Sequence, residues 1–475
     1  MTADRSIWNG HMKLLTAWPV GLPCQKWAKE VPNAGLLRYY FILNEEKILV
    51  TSPKGMADVL VNKTYDYTKP PSTNAALEWA TGHGILLAEG SAHKAQRKNL
   101  NPAFSHRHVK NLYPIFWQKG IEMAQKIEKE ISESPADHTI VIKGWAEDVT
   151  LKIIAEAGLG CKLESLTEIQ KHFRKVLARP SPLLRYFQLV TFTISSRLFY
   201  CLPLPFVVNI RAGSAKLKEL SREILREKKR KMEEKKDVSV DIISVAQASG
   251  MFTEDAMIPQ IMTFLLAGHE TTATALQYAV HELCMRPDIQ KRLREEVRNR
   301  IPSPRQQAEA VGDGGSSFAS ILDSIPYLSA FCNEILRFYP PVPLLWRQAR
   351  CNTTINNYPI KKGTAVMLSP QATNHDHGLW GPTADVFDPD RWLGPGRANS
   401  GGAESNYAFL TFTHGPRSCI ASGFAKSELM CLVAVLVGIF EMELEDPDKE
   451  FEVIMAATLK PKDGVRAKLR PLDGW

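Results

Sequence analysis

Apolar and polar positions divide the chain into a short strand-bearing beginning and a long helical remainder. The early run Lys47-Ile48-Leu49-Val50-Thr51 is strand-like and is closed by Ser52-Pro53. From Ser91 onwards apolar residues recur at helical spacing, and polar helices such as Pro287 to Arg300 alternate with apolar ones. Strand signals return near Thr353 to Val366 and Phe451 to Arg470. Ile301 to Ser317 and Gly394 to Asn406 carry the glycine and polar content of loops. The pattern predicts a mainly α protein with small β-sheets. There is no internal repeat, and no glycine-rich nucleotide fingerprint opens a βα unit.

The longest helix is predicted from about Thr253 to Met285. Thr253 serves as N-cap, Glu254 and Asp255 lie in the first turn, and Arg286-Pro287 supplies the stop. Such a helix reaches roughly 50 Å and crosses a whole domain. Its middle breaks its own pattern. Ala267-Gly268-His269-Glu270-Thr271-Thr272 puts glycine, an acid and two hydroxyls into an otherwise apolar stretch. Glycine costs about 1 kcal/mol there and an unpaired buried carboxylate costs more, so the conflict marks a functional site. The bland alternative is a helix kink with satisfied hydroxyls.

Composition narrows the class. Of 475 residues, 44% are hydrophobic and 23% charged, which suits an ordered globular protein. Eight scattered cysteines without a Cys-x-x-Cys pair do not form a disulfide framework and imply a reducing compartment. The net charge of +8 is mild, and Lys and Arg are interleaved with acids, so no nucleic-acid partner is expected. Lys13, Lys26 and Lys29 interrupt the early apolar residues, so neither a signal peptide nor an N-terminal span is read there. The run Leu429 to Phe440 is too short to cross a bilayer and suits a buried helix. Tyr186 to Ile210, broken by Arg197, Pro203 and Pro205, is a candidate pocket lining or membrane-surface segment.

The strongest chemical signal is Phe412-Thr413-His414-Gly415-Pro416-Arg417-Ser418-Cys419. Gly415 and Pro416 force a tight turn, and an apolar helix, Ala425 to Phe440, follows. The turn holds Cys419 near a helix N-terminus, where free N–H groups and the dipole stabilise a thiolate. Arg417 adds positive charge able to pair a cofactor carboxylate. A lone cysteine beside a turn is ordinarily inert; the whole string carries the argument.

Phe412-x-x-Gly415-x-Arg417-x-Cys419 resembles the haem-binding loop of the cytochrome P-450 family. Ala421 stands where the family usually has glycine. Glu334-Ile335-Leu336-Arg337 resembles its Glu-x-x-Arg pair, on one helical face. Phe387-Asp388-Pro389-Asp390-Arg391-Trp392 resembles the segment that completes a buried Glu-Arg-Arg network, with Asp390 in place of Glu. Ala267 to Thr272 resembles the oxygen-activating helix motif, where small Ala267 and Gly268 would let the helix pass a flat ring. The segment Glu89 to Ser105 resembles the Trp-x-x-x-Arg helix, with His93 replacing tryptophan and Arg97 retained.

The resemblance covers most of the chain and implies a single large domain, residues 1–475, with a long central helix over haem b. Cys419 would be the axial iron ligand, and His93, Arg97, Arg347 and Arg417 would meet the propionates. Phe412, Gly415, Ala267 and Gly268 would contact the cofactor. Glu270 and Thr271 would relay protons during activation of O2. Glu334, Arg337 and Arg391 would be structural. Thr263, Leu266, Val342, Leu344, Leu345, Thr458 and Leu459 would line a pocket for a lipophilic small molecule.

Electrons would come from a separate NADPH-dependent flavoprotein reductase, with Lys94 and Lys98 candidate docking residues. His93 to Arg97 is similar to microsomal, fungal members, which implies the cytosolic face of the endoplasmic reticulum membrane, through peripheral contact or an N-terminal anchor not seen in this chain. Three alternatives stay open. One is oxidative coupling, cyclisation or peroxide-dependent chemistry on the same haem. Another is a non-catalytic haem-binding or sensor protein. The last is a non-haem metal at His375-Asp376-His377.

Overall fold

Thr253 opens the longest helix as its sequence predicts. Its hydroxyl accepts from the Ala256 N–H at 3.3 Å, Glu254 and Asp255 fill the first turn, and the helix runs Glu254–Met285. In this computed structural model, residues 6, 8–11, 14, 21–133, 138–161, 200–234, 241–248, 250, 252–303, 315–455 and 458–475 are described. Most of the apolar segment Tyr186 to Ile210 and the middle of the loop Ile301 to Ser317 lie outside the described residues.

The central helix is the axis of the core. From Gln260 to Cys284 every residue is buried except Ala267, Gly268 and Thr271. The helices Ile142–Ile153 and Ser422–Ile439 pack on it, and Tyr113–Glu133 packs on the latter. Gly268 owes its missing side chain to this packing. A Cβ there would lie 2.9 Å from the Ile154 side chain, so the residue serves helix contact rather than the flat ring expected of it. Among the described residues one helix, Ser422–Ile439, is long and apolar enough to cross a membrane, and most of it is buried in this core.

The sheets are small, as the strand signals imply. The largest has the order β1-β2-β8-β5-β3, with β1 Leu36–Tyr40, β2 Glu46–Val50, β3 Tyr67–Thr68, β5 Leu345–Ala349 and β8 Ala365–Leu368. Only the β2–β8 pairing in it is parallel. β4 Thr139–Val141, β12 Arg466–Pro471 and β9 Phe440–Leu444 form a second sheet. Two hairpins remain, β6 Thr353–Ile355 with β7 Tyr358–Ile360, and β10 Val453–Met455 with β11 Leu459–Pro461. Polar Pro287–Arg300 is helical over the span its sequence predicts, and Gly394 to Asn406 forms turns.

Candidate active site

Gly415-Pro416-Arg417 makes a single 3-10 turn. Gly415 takes φ 74°, and a Cβ on it would lie 2.2 Å from the Leu60 carbonyl oxygen, so only glycine fits. The Cys419 N–H donates to the Phe412 carbonyl at 2.9 Å and closes the loop. Ala421 has φ −95°, which a side chain tolerates, so the backbone there does not require glycine. Cys419 is open at its surface although it lies deep in the fold, so its sulfur faces an internal void. Burial pushes the thiol up against the opposing pull of the Ala421 N–H and the Arg97 charge. A bound metal cation supplies the missing stabilisation of a thiolate.

Beside the loop stands a cluster of cations. Arg97 donates to the carbonyl and hydroxyl oxygens of Ser418, and to Asn101 Oδ1 at 2.9 Å. Arg417 donates to the Ala88 carbonyl at 3.0 Å and pairs with Glu89, while its Nε is buried with no partner. Arg347 is buried and donates to the Trp346 carbonyl at 2.9 Å. His93 is buried and meets the Tyr65 hydroxyl at 3.2 Å.

Burial and the cations Arg417, Lys69, Arg97 and Arg347 push the His93 imidazole down to about 4. Burial, with Arg347 and Arg417, brings the Lys69 amine down to about 7. Burial and Arg417 bring Arg347 down to about 10. The guanidiniums of Arg347 and Arg417 and the Lys69 amine thus share the Glu89 carboxylate. Sequence reasoning missed Lys69 and Glu89, which no local motif marks. Lys94 and Lys98 are exposed, the former over the Tyr65 ring at 4.4 Å.

On the central helix, Ala267 is exposed and Thr271 half-exposed in the middle of an otherwise buried stretch. The Thr271 hydroxyl donates to the Ala267 carbonyl at 3.0 Å. Thr263, one turn earlier, is turned elsewhere: it is buried and donates to the Pro259 carbonyl at 2.7 Å. Glu270 is also buried. It accepts from Lys460 Nζ at 2.6 Å and from the Thr458 hydroxyl at 3.1 Å, so the acid and Thr271 do not share one open face.

The remaining expected pocket residues divide. Thr458 and Leu459 are buried, with the Leu459 N–H on the Pro341 carbonyl at 2.8 Å, and Leu266 is buried too. Val342, Leu344 and Leu345 are half-buried. Leu344 packs on the cluster containing Trp27 and Met367, and Leu345 on the one containing Val50 and Leu368.

The Glu334 network is complete. Arg337 donates to both Glu334 oxygens at 2.7 and 2.8 Å, Arg391 Nε donates at 3.1 Å and Trp392 Nε1 at 2.9 Å. Burial alone would raise the Glu334 carboxyl, but Arg337 and Arg391 hold it below its ordinary value. Asn374, which sequence reasoning missed, carries this network to the cysteine loop. Its amide donates to the Arg337 carbonyl at 2.9 Å and to Thr411 Oγ1 at 2.8 Å, and its oxygen accepts from the Leu410 N–H at 2.9 Å. Asn374→Ala is expected to cost about 1–3 kcal/mol, because buried partners are left unpaired. Chemical denaturation measures this.

The rival metal site does not assemble. His375 packs edge-on against Phe338, and His377 pairs with Asp385 at 2.6 Å. Among the described residues no group of three or more His, Cys, Asp or Glu could hold a metal ion.

The residues present fit haem b. Cys419 is open although it lies deep in the fold, and the central helix has a small, open face at Ala267. The partnerless Arg417 Nε and its cationic neighbours suit two propionates. Comparison with known proteins agrees. Residues 24–467 match the family model described as Cytochrome P-450. The cytochrome P-450 monooxygenase sphH of Aspergillus fumigatus is 46% identical over 460 residues, covering 95% of this chain and 84% of that protein. The cytochrome P-450 monooxygenase FSL4 of Gibberella zeae is 39% identical over 503 residues, covering 100% and 88%. The chain belongs to the cytochrome P-450 family, and is an oxidoreductase of its monooxygenase class.

Proposed function

We propose that this protein inserts one atom of O2 into a lipophilic small molecule of secondary metabolism, with electrons from a separate NADPH-dependent flavoprotein reductase. The substrate R–H, O2, NADPH and a proton give R–OH, water and NADP+. The supporting observation is that Cys419, deep in the fold, and the Ala267–Thr271 face of the otherwise buried central helix are both left open. Haem b supplies the redox chemistry when bound, with Cys419 as its ligand.

The protein's own groups do the rest. Arg97, Arg347, Arg417 and Lys69 would hold the propionates, with His93 beside them. Ala267 would leave room for the cofactor, and Phe412 and Gly415 would shape the loop that holds it. Thr271 Oγ1 holds and passes a proton, and Glu270 is its acid neighbour. Leu266, Val342, Leu344 and Leu345 supply apolar surface that selects a lipophilic substrate and excludes water. The same reading puts the protein at the cytosolic face of the endoplasmic reticulum, in contact with the membrane surface and the reductase.

The test is reconstitution with reductase, NADPH and labelled O2 over a panel of terpenoid-like and alkaloid-like compounds. One labelled oxygen in the product supports the reading; NADPH-independent turnover of a hydroperoxide, or no turnover of any compound, counts against it. Thr271→Ala is expected to lower product per NADPH about tenfold or more, with hydrogen peroxide released instead. Full coupling in that variant removes Thr271 from proton delivery.

A further inference from the structure

The acid beside Thr271 is tied to a distant hairpin. Lys460 lies in β11, which pairs with β10 over only three positions, Val453 with Pro461, Ile454 with Lys460 and Met455 with Leu459. Its ammonium sits 2.6 Å from Glu270, with the two side chains 13% and 8% exposed. Thr458 adds a second bond to the same carboxylate oxygen, and its hydroxyl meets that of Thr274 at 3.0 Å. Two further contacts seat the strand. Tyr278 on the central helix donates to the Leu459 carbonyl at 2.9 Å, and the Leu459 N–H reaches the Pro341 carbonyl at 2.8 Å.

A group that passes protons has to alternate between carboxylate and acid. Burial disfavours the charge on Glu270, but Lys460, His269 and the Thr458 hydroxyl together bring the group below its ordinary value. His269 is itself flanked by Glu147 and by Lys460. The carboxylate is therefore stable where it stands, against the hairpin, while Thr271 stays half-exposed on the helix with its hydroxyl on the Ala267 carbonyl. The Lys460 contact thus opposes proton pick-up by Glu270, and loosening it favours the acid form. Thr458 and Leu459 precede Lys460 directly, so a shift of the strand alters the carboxylate's partners.

We propose that Lys460 is a positioning residue that clamps the Glu270 carboxylate on the hairpin side of the central helix, so that proton delivery to the void depends on how the β10–β11 hairpin is seated. This rests on the monooxygenase reading for its consequence, but not for the clamp itself.

The experiment compares Lys460→Met, Lys460→Arg, Glu270→Gln and the Lys460→Met/Glu270→Gln double variant, all as purified haem-loaded protein. Infrared spectroscopy against pH reads the Glu270 carboxyl without turnover. In Lys460→Met the protonated-acid band is expected to persist to a higher pH than in wild type. It should vanish in the double variant and return towards wild type in Lys460→Arg. The unfolding equilibrium should shift about tenfold or more in Lys460→Met, and much less when Glu270 is already glutamine. Product per NADPH should show its pH dependence moved upward in Lys460→Met and restored by arginine.

An unmoved infrared band overturns the clamp. A moved band with an unchanged coupling profile also overturns the proposal, leaving Lys460 a purely structural partner. If wild type gives no reductase-supported product, the functional reading fails, while the infrared and unfolding results still decide whether Lys460 holds Glu270.

Discussion

Reduced protein under carbon monoxide is expected to show a strongly red-shifted Soret band, and Cys419→Ser is expected to lose it. The shift reports electron donation from a thiolate. A serine hydroxyl stays protonated at neutral pH and cannot match that donation. The substitution removes one atom's chemistry and leaves its surroundings. Arg97, Arg347, Arg417 and Lys69 do not depend on the sulfur for their positions, so the variant should still bind haem, more weakly. Haem titration alongside the spectrum separates loss of the ligand from loss of the cofactor. A variant that keeps the wild-type band shows that Cys419 is not the ligand. Wild type that folds but takes up no haem defeats the reading of the whole site.

Removal of one partner from the Glu334 network is the second large effect. Glu334→Ala would leave Arg337 and Arg391 as buried charges without their carboxylate, and would orphan the Trp392 N–H. Such a loss costs about 3–5 kcal/mol, a large part of the 5–15 kcal/mol typical of a folded domain. The midpoint of denaturant unfolding should fall accordingly; a change under about 1 kcal/mol would remove the network from any structural role. The sign of the pH dependence follows from the depressed carboxyl. Its contribution is complete above the ordinary value of 4.5 and is lost as pH falls through the lower folded value. Wild type should therefore lose stability on acidification, and the alanine variant should lose less of it.

Local chemistry was legible in the sequence and remote partnership was not. Thr253, Arg286 and Pro287 bound the central helix because caps and stops act over one turn. Gly415, Pro416 and Cys419 declared the loop because a glycine-dependent turn leaves its own mark. Glu334 and Arg337 lie three residues apart, whereas Asn374 and Lys460 meet their partners only through tertiary packing. No spacing rule could place Lys460 on Glu270, 190 positions earlier in the chain. Helical spacing alone would put Thr263, Ala267, Glu270 and Thr271 on one common face. Packing divided them, since the Thr458–Lys460 strand takes Glu270 for itself and the Pro259 carbonyl holds Thr263. Gly268 shows the same limit, because its reason lies in Ile154 on a neighbouring segment.

The cationic cradle draws Lys69, His93 and Arg97 from the first hundred residues, and Arg347 and Arg417 from the last hundred and thirty. Its ends are joined late when a ribosome makes the chain. A nascent polypeptide stopped before Arg347 would have only half the cradle, and one stopped before Cys419 would lack the proposed ligand, so either would hold the cofactor weakly. On the proposed reading, capture of haem would then follow synthesis and compete with the misfolding open to any long chain with an unfilled cavity. Supply of haem after the chain is complete, rather than during translation, should then set the yield of active protein.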